Sequence, residues 1–383
     1  MSLRGKKVFV TGASGFIGGR LVEKLLLGEG AEVVVLVRQF KNASRLARFQ
    51  IKMVAGDVLN PEVMAGAMAG CDFAVHCALD GSGTPEENRR VTVEGTRNVC
   101  LAAQKAKIKR LVHLSTISVY GQTPPGRLDE SSPKNPKNDA YGATKLEAEN
   151  IVLDFAKSGQ PFTVLQPTVV YGPAMTHWTA SIATQLSGGT VILPDGGEGL
   201  CNAVYVDDVI HAIFCALNIE RAIPGPYLIS GETPVTWAEY YRAFAKWIPG
   251  SAVSGEPAAV IESRLARQKF VGAIAPTIFP DAFRMKVSRT LQKFPAVWEA
   301  YNGARGRRLP PGAKIPPGAY PVIKPDLNRR VYPFRSNVGF MALRSSVSIQ
   351  KAQLELGYKP QYHLAQAMEI VGPWLQWAGL APR

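Results

Sequence analysis

The chain has 383 residues, is 46% hydrophobic and carries a net charge of +14. That length suits one large or two modest domains, and that apolar share is ample for a core. No uninterrupted apolar run approaches the roughly 18–20 residues of a membrane span, so an integral membrane protein is not expected.

In chain order the first element is an apolar run, Val8-Phe9-Val10, followed by Thr11-Gly12-Ala13-Ser14-Gly15-Phe16-Ile17-Gly18. Gly12 lets the chain turn tightly off a strand. Gly15 has no side chain, so a pyrophosphate can come close, and Gly18 lets the next helix, about 16–27, pack against the sheet. The start of that helix presents free N–H groups and the positive end of its dipole to phosphates. Ser14, Phe16 and Ile17 complete this dinucleotide-binding segment. Strand patterns recur near 6–11, 32–38, 51–55, 72–77, 110–116 and 161–167, with helical patterns between them. The alternation implies an α/β fold, a doubly wound parallel sheet of Rossmann type. From about 172 the pattern changes: a helix-like stretch at 177–187 and strand-like Val191-Ile192-Leu193 open a smaller C-terminal substrate-binding lobe. The expected division is 1–172, with 200–220 returning to it, and 173–383. Thr236-Trp237-Ala238-Glu239 carries a capping-box signature, so Glu239 reads as a helix cap and not as a catalytic acid.

A second segment carries side-chain chemistry. Tyr141 and Lys145 in Tyr141-Gly142-Ala143-Thr144-Lys145 are four apart, hence on one face of a helix. A phenol is a poor base at neutral pH, and a nearby ammonium lowers its pKa. Such a tyrosine exchanges a proton with a substrate oxygen while a hydride moves at the same carbon. A third hydroxyl, from Thr116 or Ser115, would fix that oxygen.

These segments resemble the extended short-chain dehydrogenase/reductase family, of the NAD-dependent epimerase/dehydratase type. The likeness also covers Gly56-Asp57-Val58, His76-Cys77-Ala78, Val93-Glu94-Gly95-Thr96-Arg97-Asn98, Ser115 to Gly121, Pro167 with Val170 to Pro173, and Val204 to Val209, all in the family's order. A stretch from Ala352 to Pro360 resembles the family's C-terminal helix signature. The resemblance implies an NAD(P)-dependent oxidoreductase acting on a secondary alcohol or its ketone. Tyr141 would be the catalytic acid/base, Lys145 would hold the nicotinamide ribose, and Thr116 would occupy the catalytic Ser/Thr position. Asp57 and Val58 would flank the adenine, Ala78 would line the cofactor, and Pro167 to Val169 would contact the nicotinamide.

Three positions depart from the family pattern: Thr92 stands for an asparagine, Gln166 for an arginine, and Arg38 for an acid at the end of the second strand. An acid there bonds the ribose 2′-OH, whereas an arginine suits a 2′-phosphate. NADP is therefore the expected cofactor, with NAD as the alternative.

The least family-like region, 260–335, holds 15 Lys/Arg against 4 Asp/Glu, a net of +11. Three readings of it stand: solvated cations on a cap, arginines binding an anionic substrate, or a basic aromatic surface docking on an anionic membrane. The leading substrate is a sugar nucleotide. The alternatives are a hydroxysteroid-like or other lipid alcohol at a membrane surface, and a non-catalytic NADP-binding scaffold. Membrane association is not favoured, nucleic acid is not expected, and a homodimer is left open. Met1 to Lys7 lacks an apolar signal region, and the five cysteines show no C-x-x-C spacing. A cytoplasmic protein with reduced thiols and no metal is expected.

Overall fold

A computed structural model describes residues 3–79, 83–137, 139–219, 225–267 and 325–382. The first half of the chain repeats strand and helix. β1 (Lys7–Thr11) leads into α1 (Phe16–Leu27), β2 (Glu32–Val37), β3 (Lys52–Ala55), α2 (Pro61–Met68), β4 (Phe73–His76) and α3 (Pro85–Lys105). Then come β5 (Arg110–Leu114), β6 (Gly126–Leu128), α4 (Ala140–Lys157) and β7 (Phe162–Pro167).

Six of these strands and a seventh from later in the chain form one sheet, and every pairing in it is parallel. A parallel sheet covered on both faces needs strands apolar on both faces, which is why β1 and β2 read as unbroken Val/Phe/Leu runs. Alternate residues serve opposite sides. Val8, Val10, Val33, Val35 and Val75 pack with Leu21, Val22 and Leu25 of α1. Phe9, Val34, Leu36, Ala74 and Leu111 pack with Met64 and Met68 of α2, Val99 of α3 and Val152 of α4. Each fully buried aliphatic side chain contributes about 1.5–3 kcal/mol.

The second half is built from shorter pieces: β8 (Val169–Tyr171), α5 (Ser181–Gly188), β9 (Thr190–Pro194), β10 (Leu200–Cys201), β11 (Ala203–Tyr205), α6 (Val206–Asn218) and β12 (Pro226–Ile229). They continue with β13 (Val235–Thr236), α7 (Trp237–Ala245), β14 (Ala252–Glu256), β15 (Arg330–Val331), α8 (Arg335–Met341), β16 (Ser345–Val347), α9 (Gln350–Leu356) and α10 (Leu364–Trp377). The sheet order is β12-β7-β5-β4-β1-β2-β3. All six strands expected from the sequence lie in it. β12 was not expected, because Pro226-Tyr227-Leu228-Ile229 shows no strand period by itself.

Helix α6 lies against α1. Arg20 donates from Nε and Nη2 to the Asp207 carboxylate at 2.6 and 2.8 Å, and Lys24 stands 3.0 Å from it. The capping box is present: Glu239 N donates to Thr236 Oγ1 at 3.1 Å, and Thr236 N donates to Glu239 at 2.6 Å. Of the basic stretch 260–335, residues 268–324 lie outside the described residues. On its flanks, Arg264 and Arg330 are both ion-paired with Glu256. Among the described residues no helix is long and apolar enough to cross a membrane.

Candidate active site

The sheet register places Thr11, His76 and His113 in one row at the carboxyl ends of β1, β4 and β5. Ligands in parallel α/β sheets bind beyond such ends. The turn after β1 is tight because Gly12 has φ +70°, and a Cβ there would meet the Cys77 carbonyl carbon at 2.5 Å. At Gly18 the obstacle to a Cβ is the Gly12 carbonyl, so this glycine clears the turn itself and not only the sheet. Gly15 caps α1 without any side-chain hydrogen bond, which leaves the first N–H groups of the helix open to an anion. Phe16 and Ile17 open that helix, and Ser14 precedes its cap.

A groove runs from this turn. Gly12, Ser14, Arg38, Val58 and Ala78 line one cavity, and Arg38 and Asp57 line its neighbour of about 440 Å³. Thr11 lines the first cavity, and Gln39 and Asn42, which were not foreseen, line both. Gln39 and Asn42 carry no motif of their own, and only their closeness to Arg38 marks them. Asp57 also accepts from Leu59 N at 2.9 Å, which fixes the turn after β3. The open helix start, the glycine-cleared turn and the arginine beyond β2 fit a nicotinamide dinucleotide. Pro167 ends β7 and Val169 is buried in β8.

Thr116 and Tyr141 come together. Thr116 Oγ1 accepts from Ser118 N at 3.2 Å. Tyr141 N donates to Asp139 at 3.0 Å, which caps the start of α4. Tyr141 is 44% exposed. Desolvation pushes its phenol above the ordinary value, and a hydrogen bond with Thr116 pulls against that. Lys145 lies one turn further on. Its Nζ donates to the Leu114 carbonyl at 2.6 Å and stands 3.4 Å from His113 Nε2. Burial lowers the Lys145 pKa to about 8, against the opposing pull of Glu149 and Cys77.

Ser115, the other candidate hydroxyl, is committed elsewhere. It donates to Glu149 at 2.5 Å. Glu149 is fully buried, and Gln166 Nε2 donates to its two oxygens at 3.0 and 2.9 Å. Lys134 supplies the balancing positive charge. Tyr120 donates to Gln166 Oε1 at 2.9 Å. The one sequence signal for Glu149 was its place four residues beyond Lys145, on the same helical row.

A cleft of about 560 Å³ opens beside this pair, lined by Ile117, Ser118 and Asp139 next to Thr116 and Tyr141. Lys137, Asn202 and Arg335 give it a polar side, and Phe340, Leu343 and Leu200 an apolar one.

The model of the NAD dependent epimerase/dehydratase family matches residues 8–230. The chain belongs to this family. It is therefore an NAD-dependent enzyme of the extended short-chain dehydrogenase/reductase type, an oxidoreductase built to take a small-molecule substrate. A 3-beta-hydroxysteroid dehydrogenase of Mycolicibacterium neoaurum is 28% identical over 96% of this chain and 91% of its own. A 4-hydroxy-2-methyl-3-oxo-4-farnesyl-3,4-dihydroquinoline-1-oxide ketoreductase of Stigmatella aurantiaca is 31% identical over 60% of this chain and 69% of its own. The fold is that of the UDP-glucuronic acid 4-epimerase of Bacillus cereus, with TM-score 0.66 and 20% identity over 97% of this chain and 98% of that one.

Proposed function

We propose that the enzyme uses NADP to transfer a hydride at a secondary alcohol or ketone, and that its substrate is an anionic nucleotide sugar. Residues 1–172, with 200–220 returning to them, would bind the dinucleotide, and 173–383 would complete the substrate site. The observation that carries the substrate reading is the cleft beside Thr116 and Tyr141, whose polar side includes the cations Lys137 and Arg335 along with the carboxylates Asp139 and Glu262. Such groups suit a diphosphate. Proteins of this fold have been solved with nucleotide sugars, among them one in complex with UDP-glucose and NAD.

In this reading Thr116 fixes the substrate oxygen and Tyr141 gives it, or takes from it, the hydroxyl proton. Lys145 and Pro167 to Val169 hold the nicotinamide end, Asp57 and Val58 flank the adenine, and Arg38 meets a 2′-phosphate. The dinucleotide, when bound, gives or takes the hydride at the same carbon.

A second reading, a steroid-like or other lipid alcohol, draws on the apolar side of the cleft and on the near full-length steroid dehydrogenase relative. Calorimetry with UDP-glucose and with a 3β-hydroxysteroid separates the two. The first reading expects UDP-glucose to bind and Arg335→Ala to weaken it roughly 10- to 100-fold. Steroid binding with no uptake of UDP-glucose would overturn it in favour of the second.

A further inference from the structure

His113 lies in the floor of the site, 1% exposed, and the mechanism above does not use it. Its Nε2 is 3.4 Å from Lys145 Nζ, while its Nδ1 is buried and has no hydrogen-bond partner among the described residues. We propose that His113 is a positioning residue for Lys145. Its neutral imidazole accepts one ammonium hydrogen at Nε2, and the Leu114 carbonyl accepts a second. The third N–H is then held in one direction, toward the bound cofactor. The inference rests on the reading of Lys145 as the cofactor-holding lysine.

The hydrogen bookkeeping supports this. An ammonium has three donors and no acceptor, so a neighbouring imidazole nitrogen that faces it must be unprotonated. The hydrogen of neutral His113 is then on Nδ1, where nothing among the described residues receives it. An unsatisfied buried donor is costly, and an apolar residue at this strand position would avoid that cost. The position nevertheless carries a histidine whose Nε2 meets the lysine. The neighbouring His76 shows the opposite arrangement. Thr96 Oγ1 gives its hydrogen to the Thr92 carbonyl at 2.6 Å, so it accepts from His76 Nε2 at 3.0 Å. His76 Nδ1 then accepts from Thr11 Oγ1 at 2.7 Å. His76 is fully used in the framework, whereas among the described residues the one hydrogen-bonding side chain at His113 is Lys145.

The tautomer of His113 and the charge of Lys145 are coupled. Once the lysine is a neutral amine it can accept, and the Nε2–H form of His113 becomes the better one. The groups facing Lys145 are Glu149 on its own helix, Cys77 after β4, and His76 and His113 on β4 and β5. Burial keeps both imidazoles neutral, with His76 lowered to about 3 and His113 well below its ordinary value. Burial also pushes the Cys77 thiol up to about 12. Near pH 8 the group that changes charge is the lysine, and removing its acceptor lowers its pKa further.

The test titrates the purified protein with NADPH by fluorescence across the alkaline range. Wild-type affinity should fall as pH rises through about 8. His113→Phe should bind about tenfold more weakly at neutral pH, with the alkaline limb displaced about one pH unit downward. His113→Gln, which keeps an acceptor, should recover part of both. Lys145→Ala should bind weakly and lose the limb. If Lys145→Ala binds NADPH as wild type does, the reading of the lysine fails, and the inference with it. If Lys145→Ala is impaired while His113→Phe keeps the wild-type affinity and limb, only the inference fails. Nitrogen-15 NMR of wild-type histidines covers the case of an unfolded variant. It should find the Nδ1–H tautomer of His113 below the lysine's titration, and an Nε2–H tautomer there would overturn the proposal.

Discussion

Lys145 and Glu149 lie one turn apart on α4, and both are buried, yet their surroundings differ. Around Glu149 both oxygens are bonded: Ser115, Gln166 and Lys134 converge on it, and Gln166 is held in turn by Tyr120. Around Lys145 the bonding among the described residues is sparse, with a single carbonyl and one imidazole whose other nitrogen has no partner there. Thr92 Oγ1, the hydroxyl where the family usually has asparagine, is also buried without a partner. In the proposed reading the first cluster serves the fold and the second meets a ligand. A fully paired buried carboxylate ties five segments together, whereas a lysine with a donor to spare can serve a cofactor.

The contrast predicts that chemistry and stability separate between neighbours on this helix. Tyr141→Phe removes the transferable proton and keeps the ring. Turnover should fall by about 10²–10⁴-fold, while the denaturation midpoint and NADPH affinity barely move. Wild-type-like turnover would break the assignment. Glu149→Ala should do the reverse first, costing about 3–5 kcal/mol in urea denaturation by leaving Lys134 without its carboxylate. Because Gln166 and Ser115 also lose their acceptor, Glu149→Gln with Lys134→Met should recover much of that loss. A Glu149→Ala protein as stable as wild type would erase the distinction between the clusters.

Asp208 sharpens the comparison, because it is buried but only half compensated. It accepts from Gln361 N at 2.7 Å and Tyr362 N at 3.3 Å, yet burial outweighs these bonds and raises its pKa to about 6. A raised carboxyl pKa means that the native state holds a proton which the unfolded state has released. Its stabilising share is complete below 3.8 and is lost as pH rises through about 6. Asp208→Asn should flatten that part of the stability–pH curve, and an unchanged slope would assign it to other groups. The smallest effect belongs to a surface cap. Thr236→Ala breaks the capping box of α7 and should cost about 1 kcal/mol by the same denaturation measurement, with no effect on cofactor affinity.

Much of this was legible in the sequence because it is written in local patterns. The six principal strands, α1, the turn at Gly12 and the Thr236–Glu239 cap each depend on residues a few positions apart. The seventh strand, β12, was not legible. It pairs with β7 across some sixty residues of chain, and Pro226-Tyr227-Leu228-Ile229 shows no period by itself. The clusters around α4 were hidden for a related reason. Tyr141, Lys145 and Glu149 share a helical face that the spacing shows. Their partners His113, Ser115, Gln166 and Lys134 come from β5, β7 and a loop, and only the packed sheet brings them there. The side-chain pattern alone left Ser115 and Thr116 open for the same reason, and the family resemblance pointed to Thr116. In the structure Ser115 is bound to Glu149, and Thr116 is the hydroxyl at Tyr141.

The central claim is that this groove holds a nicotinamide dinucleotide and that Arg38 sets its preference. The direct measurement is a pair of fluorescence titrations of the wild-type protein, with NADPH and with NADH, repeated on Arg38→Ala. The account predicts that NADPH binds at least about tenfold more tightly than NADH, and that Arg38→Ala removes this advantage by weakening NADPH alone, since a charge-assisted bond contributes roughly 1.5–3 kcal/mol. Tight NADH binding with negligible NADPH binding by wild type would contradict the assignment of Arg38, and binding of neither would contradict the account of the groove itself.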